Sequence, residues 1–127
     1  MTVGIENTVR SSCNMKYIWW RYSKAPFEEW RLVACDNDKC KEVYVIHFVK
    51  SYYNQKIGWA GGIVEHYPSG YEGVPHFSTP RHKTRHEAFL FAESSLSISK
   101  RVKRSTKPGV EIGGWLYPPM FFKGKGL

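Results

Sequence analysis

Long apolar runs are missing from this sequence. No stretch approaches the roughly 18 consecutive apolar residues that a membrane-crossing helix needs, and the opening MTVGIENTVRSSCN lacks the apolar core of a secretory signal. Cysteine is scarce and odd in number. Cys13, Cys35 and Cys40 are too few for a disulfide-built scaffold, and they point to free thiols in a reducing compartment. Together these absences set the expectation of a cytoplasmic protein with no membrane partner.

Recognised catalytic grammar is missing too. There is no nucleophile elbow, no HExxH, no P-loop and no pair of carboxylates in a familiar spacing. Signatures that read bases are equally absent: no aromatic RNP motif, GXXG loop, zinc finger or basic zipper. No internal repeat or low-complexity segment appears. These gaps argue for a non-enzymatic protein that takes no cofactor or metal and does not read nucleotide sequence.

Acidic residues run short in one place. Residues 1–80 hold nine Lys/Arg against eight Asp/Glu, but residues 81–107 hold eight Lys/Arg against only Glu87 and Glu93. Most of the formal net charge of +8 therefore lies in one segment. Such a localised field favours polyanions, namely nucleic acid, a ribonucleoprotein, an acidic protein surface or anionic lipid. The expected contact residues are Arg81, Lys83, Arg85, Lys100, Arg101, Lys103, Arg104 and Lys107.

Aromatic side chains, by contrast, are plentiful: five Trp, eight Tyr and seven Phe in 127 residues. A core of this size cannot hide them all, so part of the set should form a stacking platform or a protein interface. The expected surface set is Trp20, Tyr22, Tyr52, Tyr53, Trp115, Phe121 and Phe122.

Periodicity sketches one α+β domain. Residues 1–14 read as a loose arm, 15–107 as the domain, and 108–127 as an apolar, Gly/Pro-broken tail that packs on the domain or a partner. Residues 16–22 (KYIWWRY) alternate heavy side chains on both faces, as a strand does. If exposed, that strand would also allow pairing across a two-fold into a homodimer. Residues 30–49 read as an antiparallel hairpin turning at 36–39, and a fourth strand lies within 56–67, broken by Gly61-Gly62. Thr84 and Glu87 form a capping box, after which Ala88, Phe89, Ala92 and Leu96 recur on one helical face. The helix is expected to carry Lys100 to Arg104 in its last turns and to stop at Pro108-Gly109. An antiparallel sheet of about four strands with one long amphipathic helix on one face is the economical arrangement.

Two further chemistries are weaker. Cys35-x4-Cys40 and His82-x3-His86 each have zinc-ligand spacing, but some forty residues of sequence separate the pairs and basic neighbours disfavour a dication. A general acid–base pair drawn from His47 or His66 with His76 or His86 would suit a small nuclease, yet none of the four has a partner pattern nearby. The leading expectation is a small binding protein that engages nucleic acid or a nucleic-acid-handling complex. An inhibitor of a host defence complex, of the anti-CRISPR kind carried by phages and mobile elements, would have this character. A His-dependent nuclease and an adaptor with a merely solvated basic face are the alternatives.

Overall fold

The computed structural model describes residues 15–37, 39–49, 57–66, 72–73 and 81–122. The expected arm at 1–14 and the side chains of Tyr52, Tyr53, His66 and His76 lie outside this set. The molecule is α+β. Strands β1 (Lys16–Ser23), β2 (Glu29–Asp36), β3 (Lys39–Val49) and β4 (Gly58–Ile63) form an antiparallel meander, followed by a small ladder of β5 (Glu65–His66) and β6 (Glu72–Gly73). One helix, α1 (Arg85–Ser95), precedes β7 (Lys103–Ser105). A hairpin of β8 (Val110–Ile112) and β9 (Trp115–Tyr117) and a 3-10 turn at Pro119–Phe122 close the described chain.

The main sheet has five strands in the order β4-β3-β2-β1-β7, and β7 runs parallel to β1. The meander was expected; the fifth, parallel strand was not. Because β1 is flanked by β2 on one side and β7 on the other, its edges are both in use. The two-fold pairing imagined for residues 16–22 is therefore closed off.

Alternation in β1 decides the layering. Trp19 lies opposite Leu32, and that face, with Trp30, Tyr44 and Ile46, packs against Ala88, Phe89 and Ala92 of the helix. Gly61 lies under this layer, where an added Cβ would stand 2.7 Å from both Ile46 Cγ2 and Tyr44 Cε1. Gly61-Gly62 thus marks a close approach, and the β3–β4 register runs through it without a break.

Trp20 points the other way and is as deeply buried as Trp19, both 0 % exposed. Its cover is the tail. Trp20 Nε1 donates to the Lys107 carbonyl at 2.9 Å, and Gly109 lies so close that a Cβ there would meet Trp20 Cζ2 at 2.6 Å. The tail therefore docks on its own domain, against the face opposite the helix. Farther along, the 3-10 turn reaches β3, where Cys40 Sγ is 3.5 Å from the Met120 carbonyl oxygen.

Cys35 and Cys40 form a disulfide across the β2–β3 turn. This corrects the free-thiol reading. The hairpin register sets the two residues directly opposite one another, so the spacing that resembled a zinc half-site serves a covalent staple. The inference from free thiols to a reducing compartment falls with it. Among the described residues, no helix is long and apolar enough to cross a membrane.

Candidate nucleic-acid interface

The helix begins as its sequence implies. Thr84, in extended backbone conformation, caps the helix by accepting from the Glu87 amide at 3.2 Å. It ends much earlier than expected. Ser97 adopts φ +56, Ile98 N–H donates to Glu93 O at 2.9 Å, and Ser97 N–H donates to Ser94 O at 3.0 Å. That bond pair is a Schellman motif with serine in the left-handed position usually held by glycine. Lys100, Arg101, Lys103 and Arg104 are consequently not the last turns of a helix. The chain reverses, buries Val102, and returns as β7.

This reversal moves the charge. A continuous helix would hold the clusters at 81–86 and 100–107 some 25 Å apart, at about 1.5 Å of rise per residue. Instead β7 pairs Arg104 with Trp19, which puts the Arg104 side chain on the helix side of the sheet. There its guanidinium lies 4.3 Å from the Phe89 ring centroid and an Arg104 N–H donates to His86 Nδ1 at 2.9 Å. Arg85 approaches the same ring, with its guanidinium carbon 5.9 Å from the Phe89 centroid and 5.1 Å from that of Trp30. Both cations are held over aromatic rings that are themselves locked in the core.

The anchoring differs between them. Arg85 donates to Glu28 at 2.6 Å, and Glu28 also accepts from Trp30 Nε1 at 2.6 Å. Burial works to raise the Glu28 pKa, but these two donors and the Arg85 charge outweigh it and hold the carboxyl below its ordinary value. Arg104 has no such carboxylate among its hydrogen bonds. Burial lowers its pKa, the nearby charges of Arg85 and Arg101 lower it further, and Glu93 opposes them. Glu93 is itself engaged, accepting from Trp19 Nε1 at 3.2 Å. Arg104 therefore has Arg85 and Arg101 as charged neighbours, with Arg85 paired to Glu28 and Glu93 the acidic group that opposes them.

β7 is the edge strand, and Lys103 and Ser105 face the side away from the helix, aligned with Ile18 and Trp20. An open depression of about 400 Å3 runs along this edge, lined among the described residues by Arg101, Val102, Lys103 and Arg104. Lys83 is exposed but follows His82, which bridges to β4 at the opposite edge of the sheet. Lys100 and Lys107, which flank β7 in the chain, are exposed as well. Their charges also keep a bare strand edge from pairing with another chain.

Two expected contact residues have other surroundings. Arg81 belongs to the far side of the sheet, because its neighbour His82 bridges to Trp59 of β4 through backbone bonds of 2.8 and 2.9 Å. Its charge is felt by His47, whose pKa is lowered by burial and then by Arg81, against the pull of Glu29. Arg85 is in the cluster but committed to Glu28.

The aromatic set divides as well. Trp20 is enclosed and cannot stack an incoming base. Tyr22 is half-buried beneath Arg31, whose guanidinium carbon is 3.6 Å from the ring centroid. Trp115 is 72 % exposed. Phe121 and Phe122 are half-buried and gather around Tyr117, with ring centroids 6.4 and 6.3 Å away. Sequence reasoning passed over Ile112 and Tyr117, which share one face of the β8–β9 ribbon with Trp115. Alternation about Gly113-Gly114 was the available signal.

The acid–base pairing of His47 with His86 does not form, since His47 shares the non-helix face with Glu29 while His86 sits on the helix beside β7. On that face Arg31 is fully engaged, 2.7 Å from Glu29 and 3.2 Å from Glu42. Among the described residues no three His, Cys, Asp or Glu side chains converge as a metal site. Compared with protein-family models, curated proteins and solved structures, the chain matches none. The fold class is α+β, and any functional reading must come from the surface itself.

Proposed function

We propose that this chain is a small, non-enzymatic nucleic-acid-binding protein. Its contact surface is the cationic ridge of Lys100, Arg101, Lys103, Arg104 and Lys107, extended by Arg85 and His86 on the helix. The observation that carries the reading is convergence: a Schellman stop and a parallel edge strand bring Arg104 within 2.9 Å of His86, and so join the basic 100–107 segment to the first turn of the helix. Like charges crowded in this way repel, and a polyanion is the ligand that relieves them. Phosphate contacts ask for charge on a ridge more than for exact spacing. The strand held within a nucleic-acid-handling complex offers the same chemistry, and an inhibitor of such a complex would dock there.

A mobility-shift titration with single- and double-stranded DNA and RNA, at low and physiological salt, tests this. Binding should weaken as salt rises and be lost when Lys100, Arg101, Lys103 and Arg104 are all replaced by Ala. Undiminished binding by that variant, or no binding by the wild type to any of the four, would refute it.

A further inference from the structure

Among the described residues, the turn end of the more apolar face of the β8–β9 hairpin is exposed, while Phe121 and Phe122 gather at its Tyr117 end. Ile112 and Trp115 stand opposite each other beside the turn, with Tyr117 two pairs further on and on the same face. All three are exposed, Trp115 most of all. The turn is Gly113-Gly114, at φ +60 and +83, and a Cβ added to either would meet nothing within 4 Å. Two residues with positive φ make the tight reversal that suits a two-residue hairpin. Here they also leave the Trp115 ring without a side-chain neighbour in the turn. The base of the hairpin is fixed, because Gly109 is wedged against Trp20, Leu116 and the Tyr117 carbonyl. The result is a large flat ring presented on a short, anchored ribbon.

Its position gives it a partner. The hairpin starts three residues after Lys107, whose carbonyl is pinned to Trp20 on the face away from the helix. Lys103 projects on that same face, aligned with Ile18. Lys103 on the edge strand therefore shares the side of the sheet on which the tail docks, while Arg104 projects to the other. Glu111 alternates onto the opposite face of the ribbon from Trp115, so no carboxylate stands beside the ring within the hairpin.

We propose that Trp115, supported by Tyr117 and Ile112, is a stacking platform for an unpaired base, so that the protein binds single-stranded nucleic acid in preference to duplex. Phosphates follow the β7 edge past Arg101, Lys103 and Lys107, and a base freed from its neighbours stacks on the indole. A cationic track joined to an exposed aromatic ring is the general solution for single strands, because every base has a π-face. A duplex keeps its bases stacked internally and uses only the charge. This inference rests on reading the ridge as a nucleic-acid contact.

Anisotropy titrations with a labelled single strand and a duplex of the same length, at one salt concentration, separate the two claims. Trp115→Ala should weaken single-strand binding by roughly 5- to 150-fold, the range spanned by one base–aromatic stack, and leave duplex binding unchanged. Trp115→Phe, which keeps a ring, should recover much of the loss. The side chain is solvent-facing, so both variants should melt like the wild type. Equal losses on single strand and duplex, or no loss on either, would overturn the stacking role while leaving the ridge intact. A wild-type protein that binds neither oligonucleotide would sink both readings.

Discussion

Replacing Gly109 by Ala should loosen the tail. The new Cβ would stand 2.6 Å from Trp20 Cζ2, 2.8 Å from the Tyr117 carbonyl oxygen and 2.9 Å from Leu116 Cδ1. Leu116 can rotate away. Trp20 cannot, since it is fully enclosed, and the Tyr117 oxygen is backbone. Overpacking of this kind costs about 1–3 kcal/mol, offset by some 0.4–1 kcal/mol from the reduced freedom of the unfolded chain. A net loss of roughly 1–2 kcal/mol follows from those two terms. With about 2.1 cal/mol/K of unfolding entropy per residue, 1 kcal/mol is worth about 4 °C in a 127-residue chain, so the Tm should fall by about 4–8 °C. Calorimetry reads the Tm, and near-ultraviolet circular dichroism reads the changed surroundings of Trp20. Gly113→Ala is the control: its cost is one residue held at φ +60, with no steric neighbour, and the Trp20 signal should stay as in the wild type. A Gly109→Ala protein that melts at or above the wild-type temperature would refute tail docking against Trp20.

Other consequences are as direct. Unfolded under non-reducing conditions, the protein should show one reactive thiol, Cys13, and three after reduction; three before reduction would exclude the Cys35–Cys40 bridge. Breaking that bridge by Cys40→Ser should cost about 2 kcal/mol, because the closed loop is short, seen as a lower Tm that reductant no longer shifts. The Glu28 carboxyl has a lower pKa folded than unfolded, so its stabilisation is present above the ordinary value of 4.5 and drains away as the pH falls through the folded value. Glu28→Gln should therefore flatten the acid limb of a stability-against-pH curve, and an unchanged limb would show that the Arg85–Glu28 pair contributes nothing there. Trp20→Ala should cost about 3–5 kcal/mol, as large aromatic-to-Ala changes in cores do, readable as a lower midpoint in urea.

The meander was legible because its signals are local. Val45, His47 and Val49 alternate with Ile46 and Phe48 in β3, and the cap at Thr84 depends on a residue three positions away. The helix stop was not legible, because Ser97 takes a left-handed conformation without the glycine that advertises one. Lys103-Arg104-Ser105 carries no strand signature, and only the bare edge of β1 makes it a strand. The disulfide required the hairpin register, which sets Cys35 against Cys40. Trp20 looked like a surface aromatic because its cover arrives from residues 107–118, far along the chain. For the candidate site, composition located the charge in residues 81–107, but how the fold divides that charge between the two edges of the sheet is a tertiary fact.

Salt dependence is the most direct measure of the cationic ridge. If Lys100, Arg101, Lys103, Arg104 and Lys107 each neutralise one phosphate of a single strand, log K against log salt should fall with a slope near −3.5, at about −0.7 per phosphate. Replacing the first four by Ala should cut the slope to about −0.7 by the same rule. Equal slopes for the two proteins, or binding that ignores salt, would contradict the account.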